Sequence, residues 1–157
     1  MMSSSYVGRS AYRAVAPVVL SLACAFSLQP PAGAADRQAL VTIKEVMEKT
    51  ITPATNALWN VFEPPADEQW AALEEASVTL LVAADAIARG GAGPSDAEWA
   101  KSPAWAAFND AMTNAGLAAL EAVRARDLEA LMAAGDVLYA PCEGCHLQFN
   151  PGVAGAE

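Results

Sequence analysis

The chain has 157 residues, enough for one domain and a squeeze for two. Its hydrophobic fraction of 54% is carried by alanine and leucine, with aromatics at 7% and charged residues at 17%, which favours packed helices and argues against disorder. Lys and Arg number 9 against 18 Asp and Glu, a net charge of −9, and so acidic a chain is repelled by phosphate backbones, which excludes nucleic acid as a partner.

Arg9 and Arg13 are the only charges before Asp36, and they precede an apolar stretch from Ala14 to Leu28 that ends in Gln29-Pro30-Pro31-Ala32-Gly33-Ala34. A charged start, an apolar run and a small-residue site in that order read as a signal peptide over residues 1–34. Cleavage after Ala34 completes Ala32-Gly33-Ala34; a cut after Ala35 satisfies the same rule. An uncleaved anchor is the poorer reading, because the run falls short of the ~20 apolar residues of a spanning helix and contains Pro17. No membrane span is then expected after cleavage, and the expected compartment is a bacterial periplasm. Lipid attachment at Cys24 is a minor alternative, disfavoured by Ser21 where lipoprotein signals usually carry leucine.

Export leaves residues 35–157 as the domain, with 18 acidic residues against 7 basic and a net charge of −11. Such a surface favours a basic partner. Of three cysteines only Cys142 and Cys145 remain.

Breakers divide this domain into four segments of helical length. Leu40, Ile43, Met47, Ile51, Ala54 and Leu58 recur at threes and fours in the first, and Trp70, Leu73, Ser77, Leu80, Ala84 and Ile87 in the second. Glu63-Pro64-Pro65 separates the two, and Gly90-Gly91-Ala92-Gly93-Pro94 ends the second. Residues 95–103 read as a loop with one helical turn. Trp105, Phe108, Met112, Ala115, Ala119 and Val123 mark the third segment. The fourth starts at Asp127, a suitable N-cap, and its stripe is Leu128, Leu131, Gly135, Leu138, Cys142, Cys145 and Phe149. Short connections between long helices imply antiparallel neighbours, so the expected fold is all-α, an up-down-up-down four-helix bundle. Pro53 and Pro141 interrupt two stripes, and a kink or restart is expected at each. At Pro141 a separate short helix with proline in its first position is one form this can take.

Cys142-Glu143-Gly144-Cys145-His146 is Cys-x-x-Cys-His, the pattern of c-type haem attachment. On a helix, residues i, i+3 and i+4 share a face, so two thiols meet the vinyl groups of one porphyrin while the adjacent imidazole reaches its iron. One covalently attached haem c on the C-terminal helix is therefore expected, with His146 as proximal ligand. A thioredoxin-like redox pair lacks its βαβ context. A zinc site lacks ligands, since the domain has two cysteines and one histidine.

That single histidine excludes bis-histidine coordination within one chain and leaves methionine, lysine or an open site on the other face of the iron. Met132 lies fourteen residues upstream of His146, roughly 21 Å along a helix axis and too far. Met47 and Met112 sit on the stripes of other helices, where methionine is usually core filling. Spacing alone does not choose between them.

With Cys-x-x-Cys-His ending the last of four helices, the chain from about Arg37 to Phe149 resembles the class II c-type cytochromes, the cytochrome c prime family. Further points of resemblance are Ile43-Lys44-Glu45-Val46-Met47, Thr52-Pro53 with Leu58-Trp59, and Phe149 three residues after His146. The family has high-spin members with an open iron and low-spin members with a first-helix methionine bound. Met47 falls at that position, so the resemblance implies a low-spin member with Met47 on the iron. It also makes a homodimer through the helices an option. Two departures stand out: Asn150, not a basic residue, follows Phe149, and Pro141 adjoins the motif.

The function expected is one-electron transfer by an exported mono-haem cytochrome, not an enzyme, serving redox partner proteins. The rival reading is a five-coordinate binder of nitric oxide or carbon monoxide, which requires an open distal face. Haem peroxidase chemistry lacks a distal acid-base histidine. Trp59, Trp70, Trp99 and Trp105 are expected mostly as packing residues, and Tyr139 is placed to touch the ring or a propionate.

Overall fold

The computed structural model describes residues 39–150 and residue 152. The signal peptide over 1–34, its cleavage site and Cys24 lie outside the described residues. All regular structure among the described residues is helical: α1 (Ile43–Val46), a π-helical turn (Met47–Ile51), α2 (Thr52–Trp59), α3 (Asp67–Ala88), α4 (Asp96–Trp99), α5 (Pro103–Ala125) and α6 (Leu128–Phe149).

The first stripe begins later than its apolar pattern suggests. Thr42 takes the N-cap position, its hydroxyl accepting from the Glu45 amide while the Glu45 carboxylate accepts from the Thr42 amide at 2.8 Å. This reciprocal box stops the helix there and holds the Glu45 carboxyl below its usual pKa, chiefly through the Thr42 backbone bond. Leu40, expected in the stripe, lies outside the helix and is 95% exposed.

At Pro53 the chain does not restart: its backbone stays right-handed helical through Val46, Met47, Ile51 and Thr52, and only the hydrogen-bond register changes. The turn before it widens, so that the Thr52 amide donates to the Met47 carbonyl five residues back, and α2 then opens with proline in its first turn. A proline ring collides with the carbonyl four residues before it in a regular helix; the wider turn relieves that crowding. The Thr55 hydroxyl, buried, donates to the carbonyls of Ile51 and Thr52 at 3.0 and 3.1 Å.

At Pro141 the expectation of a separate helix fails. α6 runs unbroken from Leu128 to Phe149 with Pro141 inside it. The missing amide deprives the Val137 carbonyl of its helix bond, and Val137 is an exposed residue of α6.

The second stripe is buried along its whole length, from Trp70 to Ile87. Ser77 within it donates to the Leu73 carbonyl at 2.8 Å, which satisfies a hydroxyl otherwise costly to bury. The loop over 95–103 contains one helical turn, α4, as the sequence suggests. α5 ends at Arg126, whose φ of 56° is the left-handed cap that lets the chain reverse. Asp127 then caps α6 by accepting from the Ala130 amide.

α3 packs on α5, α5 on α6, α2 on α3, and α2 also meets α6. Leu80, Leu131 and Leu138 sit wholly buried where these faces converge. Trp59 docks α2 on α6: its indole Nε1 donates to the Gly135 carbonyl at 3.0 Å, and a β-carbon at Gly135 would stand 3.1 Å from its ring. No helix among the described residues is long and apolar enough to cross a membrane.

Candidate haem site

The last two turns of α6 carry the motif. Cys145 is buried and Cys142 half-buried, both as free thiols, and His146 is half-buried beside them. Their order follows from helical spacing, which sets residues 142, 145 and 146 along one side of α6. Gly144, the small residue inside the motif, lets α5 approach: a β-carbon there would lie 2.6 Å from Cε1 of Phe108.

These side chains wall a cavity of about 460 Å³ that lies between α2, α5 and α6. Its size is that of a small-molecule or cofactor pocket. Met47 and Ile51 from the π-helical turn, Trp59 from α2, and Phe108 and Met112 from α5 line the same cavity. A second cavity, about 330 Å³, flanks the same motif on the α1 and α4 side and shares Met47, Thr52, Cys145 and His146 with the first. Met47 and His146 thus border both spaces.

The thiols are electrostatically quiet. Burial pushes the Cys142 pKa up to about 11, and burial with the neighbouring Cys142 does the same for Cys145, to about 11. Both remain S–H at neutral pH. A dithiol redox centre depends on a lowered thiol pKa, so the shift here runs against that chemistry and suits a pair kept reduced.

The residues present fit a covalently held haem. Two free thiols and one imidazole line a cavity together with apolar and aromatic side chains and with Thr52, Thr55, Asn56, Asn109 and Glu143, and the thioether of the half-buried Met47 lines it as well. Of the other methionines, Met112 borders the same cavity from within the core at 5% exposure, whereas Met132 is 48% exposed on the outside of α6. Tyr139 also lines the cavity, mostly exposed, its hydroxyl donating to the Glu143 carboxylate at 3.4 Å.

Sequence reasoning missed one contributor. Asn109 is buried in the cavity wall, its amide nitrogen donating to the Trp105 carbonyl at 3.1 Å while Oδ1 has no partner. Trp99, Trp105 and Phe149 form an aromatic cluster beside the motif, with ring centroids 5.1 to 5.8 Å apart. Phe149 was legible from its spacing, and Trp99 and Trp105, expected as packing residues, meet it from α4 and α5. Trp70 and Trp105 are core residues, and Trp105 donates its indole N–H to the Ile87 carbonyl at 3.1 Å.

No protein-family model matches the chain, and neither the curated proteins nor the solved structures contain a match to it. The functional reading therefore rests on the residues and geometry of the site itself.

Proposed function

We propose that this chain is an exported one-electron carrier, a mono-haem cytochrome of the class II c-type kind with low-spin iron. In this reading α1 and α2 together, α3, α5 and α6 are the four antiparallel helices of an up-down-up-down bundle, and residues 1–34 direct export to a periplasm. The observation that carries it is the meeting of Cys142, Cys145, His146 and Met47 around one cavity, from segments almost a hundred residues apart.

Each residue has a part. The thiols of Cys142 and Cys145 would hold the haem by adding S–H across its two vinyl groups, a C–S and a C–H bond forming at each with nothing released. His146 would supply an imidazole nitrogen and Met47 a soft thioether to hold the iron. When bound, haem would supply one-electron chemistry between ferric and ferrous iron, and a His/Met pair would raise its potential relative to harder ligands. Ile51, Trp59, Phe108 and Met112 exclude water from the cavity and keep its dielectric low. The acidic surface, −11 after export, steers a basic redox partner.

The test is an absorption spectrum of the protein expressed with haem-attachment machinery, oxidised and reduced, with and without carbon monoxide, for the natural chain and for Met47→Leu. The natural chain is expected to be low-spin with a methionine-to-iron charge-transfer band and no response to gas; Met47→Leu is expected to turn high-spin and bind gas. A natural chain that is already high-spin and gas-binding would replace the carrier with the gas-binding reading. Absence of covalent haem would sink both.

A further inference from the structure

We propose that the connection between α3 and α5 is a strap that holds the Met47 segment against the His146 end of α6, with Asp96 as the positioning residue for Met47. The inference rests on the reading that Met47 and His146 hold one iron from opposite sides.

At one end of the strap stands Asp96, a carboxylate only 4% exposed in the first position of α4. Its Oδ2 accepts from the Ile43 amide at 2.8 Å and from the Gly93 amide at 2.8 Å. Beside it the Ala92 amide donates to the Val41 carbonyl at 2.9 Å. Ile43 is the first residue of α1, and its amide is one that a helix leaves without an internal partner. Thr42 and Glu45 cap this helix from within; Asp96 ties it to a distant element. Met47 follows Ile43 by one helical turn, so a shift of the Ile43 amide is passed directly to Met47.

The other end of the strap reaches α6. Trp99, the last residue of α4, stacks on Trp105 with centroids 5.8 Å apart and meets Phe149 at 5.8 Å. Trp105 meets Phe149 edge-on at 5.1 Å. Phe149 lies three residues beyond His146, on the same helical turn. One four-residue helix thus has a hydrogen-bonded carboxylate on the Met47 segment and an indole on the His146 segment. The cavity shared by Met47 and His146 on this side lies between those two attachments.

The strap has little slack. A buried carboxylate is costly without hydrogen bonds, and charge-assisted bonds to backbone amides are among the strong ones. The loop passes so close that a β-carbon on Gly91 would lie 2.3 Å from Asp96 Oδ2 and 2.7 Å from the Ile43 nitrogen. Gly90 at φ 95° supplies the left-handed bend that brings the loop there. A thioether is a weak ligand whose hold depends on the backbone that presents it. Asp96 therefore decides whether the sixth position stays closed, as a carrier needs, or opens to small molecules.

Haem-loaded Asp96→Ala, Asp96→Asn and Gly91→Ala proteins test this, read by the ferric methionine-to-iron band and by carbon monoxide binding to the ferrous form. Asp96→Ala and Gly91→Ala are expected to lose most of the band and to bind carbon monoxide at least tenfold faster. Asp96→Asn keeps an acceptor for the two amides and is expected to retain the band. Should the first two fail to fold by circular dichroism, Asp96→Asn and hydrogen exchange at the Ile43 amide of the natural chain decide: slow exchange is expected, and exchange as fast as in an unfolded peptide overturns the strap. A natural chain without the band overturns the Met47 reading and the strap's role with it. A band present there and unchanged in both Asp96→Ala and Gly91→Ala overturns the strap alone.

Discussion

Both walls of the cavity are helices with a proline inside, and the chain treats the two prolines differently. Before Pro53 the helix widens into a π-helical turn without leaving helical dihedrals; through Pro141 it continues as an α-helix. The difference follows from surroundings. α6 is held by α5 along its length and by the Trp59 indole of α2, and the carbonyl that Pro141 leaves unpaired belongs to the exposed Val137. The segment before Pro53 accommodates the ring by changing its hydrogen-bond register. What that teaches is that Cys142 to His146 stand on a regular α-helix, while Met47 stands in a segment whose hydrogen-bond register is shifted. π-helical turns are frequent at functional sites because the inserted residue re-aims a side chain.

The largest expected effect comes from removing that contrast. Pro53→Ala restores the amide and the room for a regular helix, and losing the inserted residue rotates what precedes it by about 100°. Met47 is then carried off the cavity, and the ferric methionine-to-iron band is expected to disappear although haem stays attached. Retention of the band in Pro53→Ala would mean that the turn's register does not depend on the proline.

On α6 the corresponding perturbation is Gly144→Ala. Its β-carbon would fall 2.6 Å from the Phe108 ring, so α5 or the ring must move, at a cost of about 1–3 kcal/mol. Urea titration of the protein without haem measures this, with a lowered midpoint expected and an unchanged slope. The gain in helix propensity over glycine, about 1 kcal/mol, offsets only part of it.

The thiols give a pH signature confined to the same helix. Both pKa values are raised by burial to about 11, so between the ordinary value of 9.0 and about 11 the unfolded chain ionises while the folded one retains its protons. The native state binds more protons there, and stability falls as pH rises through that window. Thermal melts of the protein without haem are expected to show this alkaline loss. Conversion of both sulfurs to thioethers removes it, and melts of the haem-bearing protein are expected to lack that component.

The smallest effect expected is that of Pro141→Ala. It returns an amide to the Val137 carbonyl, and a stabilisation of about 1 kcal/mol is expected from the regained helix bond after the loss of a buried ring. A melt of the haem-free protein measures it; destabilisation instead would show that the ring's packing in the cavity wall outweighs the missing bond.

These contrasts also mark where sequence stopped being informative. The stripe from Trp70 to Ile87 was legible because burial on one face imposes a period of three and four on residue type, and the structure buries those residues. Cys-x-x-Cys-His was legible because its chemistry is local. Leu40 misled because its spacing fits the stripe, while the stop signal is the Thr42 and Glu45 box two residues later. The fate of Pro141 depends on which neighbours hold α6, which no window around residue 141 contains. Asp96 was invisible for the same reason: its partner Ile43 is 53 residues away, and in the sequence Gly90 to Gly93 reads only as a helix breaker.

The measurement closest to the central claim is intact mass of the exported protein under denaturing conditions, with iron content and the absorption of its denatured, pyridine-treated form. A mass of the chain from Ala35 or Asp36 plus one haem, one iron per chain, and loss of the covalent group in a Cys142→Ser, Cys145→Ser double variant are the expected results. A mass equal to the bare polypeptide, with no iron and two alkylatable thiols, would contradict the account.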